Sequence, residues 1–412
     1  MRTSAPAASP STTFLHSRLS YGWVIVGVAV AIIGLGVGAL FSLAVFLNPM
    51  QTSMKWSRAG ISGVALWMWT IYGIGSLMWG MLSDRWGARR IVVGAGLLLG
   101  LGLVVSSRIT ELWQLYVCFG GLVGVAAGAF YAPLTTTTIR WFAANRGLAV
   151  ALVSAGTGLG TFVVAPLTRW LISSYDWRVA MLILGDLAWL VIVPLGFLIR
   201  EAPGTAAGGA GGSVSLLLIG RSPQFWLIAL THFACCIAHS GPIFHMVTNA
   251  IDQGVPSMTA ATILGISGLS SLWGRIVSGV AADRWGAKRT LITMLSLQAP
   301  AIFLYLFTRS AGGFYALAIL FGASYGGVMP MYALLTREYF GARAMGTAYG
   351  AIFMLQAIGM GLGAYGGGWA YDHFGTYAWL FGMATAVAAA AVLFALPLRA
   401  PRVGLAPAAA PA

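Results

Sequence analysis

Charge is what this sequence has least of. Asp, Glu, Lys and Arg together make up 8% of 412 residues, nine acidic and 23 basic, whereas soluble chains carry about a quarter. So few charges cannot cover a water-facing surface. Cysteine is also scarce. The three present, Cys118, Cys235 and Cys236, sit inside apolar runs, which excludes a disulfide framework and a paired C-x-x-C metal motif. What fills the chain instead is hydrophobic residues, 59% of it, in runs long enough for spanning helices rather than barrel strands. At about 20 to 25 residues per span the length holds roughly a dozen helices and no large soluble domain. The net charge of +14 would suit nucleic acid in a soluble protein. In a chain this apolar it reads as the excess of Lys and Arg on the cytoplasmic face of a membrane protein, and no nucleic-acid partner is expected.

The apolar segments predict helices at 21–47, 59–82, 90–107, 113–139, 147–172 and 177–199. A second set follows at 223–248, 257–282, 289–307, 313–336, 343–370 and 375–397. Residues 1–20, rich in Ser, Ala, Thr and Pro, read as a disordered cytoplasmic tail, and residues 398–412 as a second tail. The Gly/Ala stretch within 201–222 reads as a flexible linker that divides a six-helix half, 21–200, from another, 223–397. With the N-terminus placed in the cytoplasm, 16 basic residues fall on cytoplasmic segments and six on outer ones. That bias puts both termini inside a cell's inner membrane. Arg275, in the middle of the eighth span, is the one basic residue on neither side.

The two halves repeat. GMLSDRWGARR from Gly80 and GVAADRWGAKR from Gly279 follow the second and eighth spans, so Asp84 and Asp283 are 199 residues apart. WFAANRG and YFGARAMG follow the fourth and tenth, with Phe142 and Phe340 198 apart. Duplicated halves of this kind pack about an axis along the membrane normal, with a site between them. The doubled G-x-x-x-D-R-x-G-x-[RK]-[RK] loop resembles the signature of the major facilitator superfamily. The resemblance implies an all-α fold of twelve transmembrane helices in two pseudo-symmetric six-helix bundles. It also implies a gating role for Asp84, Arg85 and Arg89 and for Asp283, Arg284 and Lys288, whose contacts close the cytoplasmic side and break during transport. More narrowly, WFAANRGLAVALVSAGTGLG (Trp141 to Gly160), YGW at Tyr21, NAIDQGVP (Asn249 to Pro256) and GRIVSGVAADRWG (Gly274 to Gly286) resemble the monocarboxylate transporters. The sequence resembles the bacterial branch of that family, near the oxalate–formate antiporters.

Arg275 lies about 5 Å from the expected midplane at 1.5 Å per residue. A central arginine needs a wet cavity or a partner. It can hold a carboxylate with two parallel hydrogen bonds, or it can form a structural ion pair, with Asp186 for instance. The resemblance agrees with the first reading, since the family's substrate-binding arginine stands at the matching Gly-Arg. Ser271, one turn earlier, replaces the Asp usual in animal members, and the usual first-helix Lys is absent, so the animal proton relay does not carry over. Tyr131, Tyr325, Tyr332, Phe353 and Gln356 are candidate pocket walls beside Arg275 and Ser271. Tyr325 and Tyr332 share a helix face. Span 11 is uncharged from Met345 to Ala370, so one cavity cation suits a monoanion. The Gly241-Pro242 pair is expected to interrupt span 7 beside His232, His239 and His245. His239 and Asp186, the only acid within a span, are the candidate proton carriers. Two histidines seven residues apart, without a third ligand, do not make a metal site, and no cofactor is expected.

These residues point to a secondary transporter of a small organic anion, a lactate- or pyruvate-like monocarboxylate taken with a proton, working as a monomer in the lipid bilayer. An anion exchanger of the oxalate–formate type and a carrier for another organic anion are the alternatives. A membrane enzyme would need a clustered nucleophile, base or metal near an interface, and no loop supplies one.

Overall fold

The computed structural model describes residues 10–142, 146–202 and 219–399. Most of the expected tails and of the 201–222 linker lies outside these residues. Twelve helical segments follow in order. They are α1 (Tyr21–Met54), α2 (Arg58–Trp86), α3 (Ala88–Ser106), α4 (Leu112–Trp141), α5 (Arg146–Ser174) and α6 (Trp177–Phe197), then α7 (Pro223–Asp252), α8 (Ser257–Trp285), α9 (Ala287–Leu304), α10 (Ala311–Gly341), α11 (Ala348–Phe374) and α12 (Ala378–Ala395). The helix of α1 begins before the membrane segment, at Pro10, so residues 10–20 continue it rather than forming the expected loose tail. Eleven of the segments are long and apolar enough to span a membrane. The exception, α9, has 18 residues and carries Lys288 and Arg289 in its first turn. In hydrocarbon every backbone polar group must be satisfied within the segment, which is why the chain resolves into helices.

The repeated loops make identical turns. Gly87 and Gly286 end α2 and α8 at φ 82° and 84°, a region closed to residues with a Cβ. Each then opens the next helix after no intervening residue. Behind each turn the basic residue is tied to the chain just past the last helix of its own half. Arg89 Nε donates to Ile199 O at 2.8 Å, and Lys288 Nζ donates to Leu396 O at 2.7 Å. The two halves thus share a device as well as a pattern.

Two expected helices differ in their interior. α4 is not regular: residues Tyr116–Val123 form a π-helix, and the α-helix resumes in earnest at Tyr131. Widened turns free carbonyls, and in a bilayer these need donors. Trp79 Nε1 supplies one to Val125 O at 2.9 Å. α7, in contrast, is not interrupted at Gly241-Pro242 but runs through Pro242 to Asp252. A single proline removes one N–H, and neighbouring helices can compensate for that loss in a membrane protein.

The halves meet along α2 with α11 and along α5 with α8. At the second seam Gly158 and Gly268 face each other. A Cβ on Gly268 would sit 2.8 Å from Gly158 O, so only glycine lets the backbones approach this closely. We expect Gly286→Val to cost about 1–3 kcal/mol through its forced left-handed φ, read as a lowered thermal unfolding midpoint in detergent. Gly279→Ala, with nothing within 4 Å of the added Cβ, serves as the comparison and should leave the midpoint in place.

Candidate functional site

Arg275 stands at the α5–α8 seam. Its side chain reaches from α8 in the second half to α5 in the first, where NH1 donates to Ser154 O and to Thr157 Oγ1. Both acceptors are neutral. Nε is buried and has no hydrogen-bond partner, and among the described residues no carboxylate pairs with the guanidinium. Asp186 does not do so, because its side chain lies exposed on the outer face of α6. Its neighbour Gly185 occupies the packed face, where an added Cβ would lie 2.9 Å from Gly100 O of α3, and Asp186 is turned away with it. The ion-pair alternative is therefore corrected: Asp186 lies away from Arg275.

Tyrosines surround the cation. Tyr131 of α4, Tyr325 of α10 and Tyr349 of α11 lie within electrostatic reach of the guanidinium. The Tyr325 hydroxyl sits beside that of Ser271, which itself donates to Gly268 O at 2.7 Å. Tyr72 of α2 adjoins Tyr131, and its ring lies 6.3 Å from that of Phe353. Phe353 in turn lies 6.2 Å from Tyr349. Phenols from both halves thus lie near the guanidinium. Hydroxyls can donate to an anion while the rings pack on carbon.

Of the residues expected here, Arg275, Ser271, Tyr131, Tyr325 and Phe353 come together. Tyr332 and Gln356 do not. Tyr332 is fully buried inside the second half and stacks on His232 at 3.8 Å and 11°. Gln356 accepts from the Cys236 thiol at 3.1 Å, which ties α11 to α7. Tyr332 shares its helix face with Tyr325 and both stack on histidines of α7, but Tyr332 lies two turns farther along, against His232. Ser154, Thr157, Tyr72 and Tyr349 belong to the site and were not singled out in the sequence. Ser154 and Thr157 do lie inside the α5 motif, which was a usable signal. His239 is buried, stacks on Tyr325 at 5.4 Å and 16°, and has Nδ1 3.7 Å from the Cys235 sulfur. It therefore touches the site through Tyr325.

A second polar cluster joins the halves at the end opposite the DRWG loops. Arg58, at the start of α2, is 5% exposed. It binds Asp252 through both terminal nitrogens, at 2.6 and 3.0 Å. Nε donates to Gln51 Oε1 at 2.8 Å, NH1 donates to Tyr377 Oη at 2.9 Å, and the guanidinium carbon lies 3.7 Å from the centre of the Tyr371 ring. Asp372 accepts from the backbone N–H groups of Arg58 and Ala59 at 3.1 and 2.6 Å, capping α2 from the other half. His245 lies between Tyr377 Oη at 3.1 Å, Ala364 O at 2.8 Å and Ser62 Oγ at 3.4 Å. Reading Arg58 only as one more loop charge missed this. The signal was there: Asp252 and Asp372 end spans 7 and 11 on the same side as Arg58.

At the basic end the contacts on view stay within each half. Arg89 and Lys288 bond carbonyls just past their own last helices, Glu201 accepts from Ala88 N at 3.1 Å, and Arg140 lies 3.6 Å from Glu201. Arg85, Asp283 and Arg284 are exposed. The side chain of Asp84 lies outside the described residues.

A family model for the major facilitator superfamily matches residues 26–364. The chain belongs to that superfamily. It is 30% identical over 387 residues to the cattle protein named monocarboxylate transporter 13, covering 92% of this chain and 89% of the relative. It is 28% identical over 295 residues to YhjX of Escherichia coli K12, an MFS-type transporter, covering 69% and 73%. In structure it resembles a bacterial homologue of the human lysosomal transporter Spinster in an inward-facing, unoccupied conformation, with TM-score 0.71, 15% identity and 91% and 95% of the two chains covered. It also resembles the nucleoside transporter NupG, with TM-score 0.76, 12% identity and 92% and 99% covered. The twelve-helix fold and the role of multi-pass membrane transporter rather than enzyme follow. We expect Asp252→Asn to strand the buried Arg58 and to cost about 3 kcal/mol. The double change Arg58→Met with Asp252→Leu should cost less, and thermal unfolding of the two variants compares them.

Proposed function

We propose that this transporter carries a small monocarboxylate of the lactate or pyruvate kind, together with a proton, by alternating access. The observation that carries this reading is Arg275: a cation midway along a spanning helix, bonded across the seam to neutral oxygens only, with Nε unoccupied. A charge in this position is costly unless it meets a counter-charge or water. A carboxylate binding side-on to Nε and a terminal nitrogen supplies the counter-charge. That side-on edge is Nε and Nη2, so Nη1 keeps its hold on Ser154 and Thr157 while the anion binds. The anion would then sit on a residue that bridges the two halves, which is the coupling that a rocking mechanism needs. The relatives named monocarboxylate transporters support the substrate class.

The excess of basic residues at the DRWG end supports a cytoplasmic position for that end and for both termini, in a cell's inner membrane. The Arg58 cluster then closes the outer side. Asp84, Arg85, Arg89, Asp283, Arg284 and Lys288 would form cross-half contacts in the opposite state. The protein works as a monomer, since the site draws on both halves of one chain. Moving a monoanion inward against a negative interior costs about 2.3 kcal/mol per 100 mV, and a co-transported proton removes that cost. His239, stacked on Tyr325 beside Ser271 and Arg275, is the carrier we assign. Asp186, on the outer face, is set aside.

Arg275→Gln should abolish uptake of labelled lactate into proteoliposomes while the protein still inserts. Arg275→Lys should keep little uptake, having the charge without the planar fork. Normal uptake by the Gln variant would reduce Arg275 to a structural role. With one cation in the cavity, lactate should bind more tightly than oxalate or malonate, whose second carboxylate lacks a partner. In an imposed inward proton gradient, wild type should accumulate substrate and His239→Gln should not. Uptake that ignores the gradient but responds to internal counter-anion would instead make this protein an exchanger.

A further inference from the structure

The basic end of the first half holds a pocket apart from the Arg275 site. It has a volume of about 460 Å³ and is lined by Arg85, Trp86, Gly87, Arg89, Arg90, Ile199, Arg200 and Glu201. Four guanidinium groups thus share one concavity with one carboxylate. That carboxylate is already engaged, accepting from Ala88 N and lying 3.6 Å from Arg140. Arg89 spends Nε on Ile199 O, and Arg200 lies over the Tyr21 ring at 4.7 Å, which fixes both heads at the rim. Arg85, Arg90 and Arg200 are exposed. The pocket therefore keeps a surplus of positive charge with free, fork-shaped donors, the arrangement that suits phosphate oxygens.

Its position selects the source of the phosphate. The pocket lies where α2 ends and α3 begins, so at the level of the lipid headgroups. Trp86 in its wall is 57% exposed, and a tryptophan at this level sits with its ring among the headgroups. Basic pockets between helices on the cytoplasmic side suit anionic headgroups. We propose that this pocket binds the phosphate of an anionic phospholipid, held by Arg85, Arg90 and Arg200, with Trp86 against the glycerol region. The bound lipid would brace the turn at Gly87 against the end of α6. This is a lipid site separate from the substrate site, and it holds whatever anion Arg275 carries.

The test is lipid retention by the purified full chain in detergent. Phosphatidylglycerol, phosphatidylcholine and inorganic phosphate are each supplied, and bound molecules are counted by native mass spectrometry. Wild type should retain phosphatidylglycerol over phosphatidylcholine, and inorganic phosphate at the same concentration should not displace it. Arg90→Gln with Arg200→Gln should weaken retention roughly 30-fold, at about five-fold per basic residue removed near a phosphate surface. Arg309→Gln, at the opposite end, should leave retention unchanged. If the double variant does not fold, Arg90→Gln alone should give about five-fold by the same measure. Equal retention of the two lipids would overturn the proposal. So would unchanged retention in the variants, and displacement by inorganic phosphate would show an ordinary phosphate site in place of a lipid one.

Discussion

The structure turns on one unneutralised cation. Arg275 sits within a spanning helix and reaches across the seam to a carbonyl and a hydroxyl of the other half. Neutral acceptors soften the cost of burying a guanidinium but do not cancel its charge. The surroundings are arranged around that fact. Phenols from three helices supply dipoles, glycine at 158 and 268 brings the backbones close enough for the arginine to span the gap, and no acid competes for it among the described residues. An acid at 271, in place of Ser271, would complete an internal ion pair and leave less for an anion to do.

The two ends of the molecule are held differently, and the difference follows from where the few acids are. Asp252 and Asp372 both converge on Arg58 and the first turn of α2, so one end is joined by charge-assisted bonds across the halves. At the other end the acids and bases whose contacts are visible satisfy themselves within a half. A chain with nine acids cannot hold both ends at once with the same groups. Closing one end through Arg58 and the other through the DRWG loops is a division of the available charge.

Much of this was legible in the sequence because the bilayer allows so little else. Apolar length gave the spans, and the paired loops gave the halves. Arg275 stood out as the one cation unexplained by topology. What stayed hidden depends on rotation and neighbours. Residues at i, i+4 and i+7 share a face, but the spacing does not say what that face meets. Tyr325 and Tyr332 both meet histidines of α7, His239 and His232, at different depths, and only Tyr325 lies near Arg275, while Gln356 went to Cys236. Asp186 looked like an interior acid because interior acids are the rule, yet tight packing at Gly185 turned it outward. Pro242 looked like a break because the N–H it lacks can be counted from sequence, whereas the neighbours that compensate cannot.

The duplication separates what builds the fold from what works. Positions that stayed alike across the 199-residue offset are mechanical: Gly87 and Gly286 make the same turn, and Arg89 and Lys288 clasp the chain just past the last helix of each half. Positions that diverged carry the chemistry. Arg275 corresponds to Ser76 and Ser271 to Tyr72 at that offset, so the first half places a hydroxyl where the second places the cation, and a phenol where the second places a small hydroxyl. Two identical halves would present either two cations or none at the axis. A lone cation among phenols requires the repeat to be broken at this depth while it is kept at the turns, and that is the pattern the chain shows.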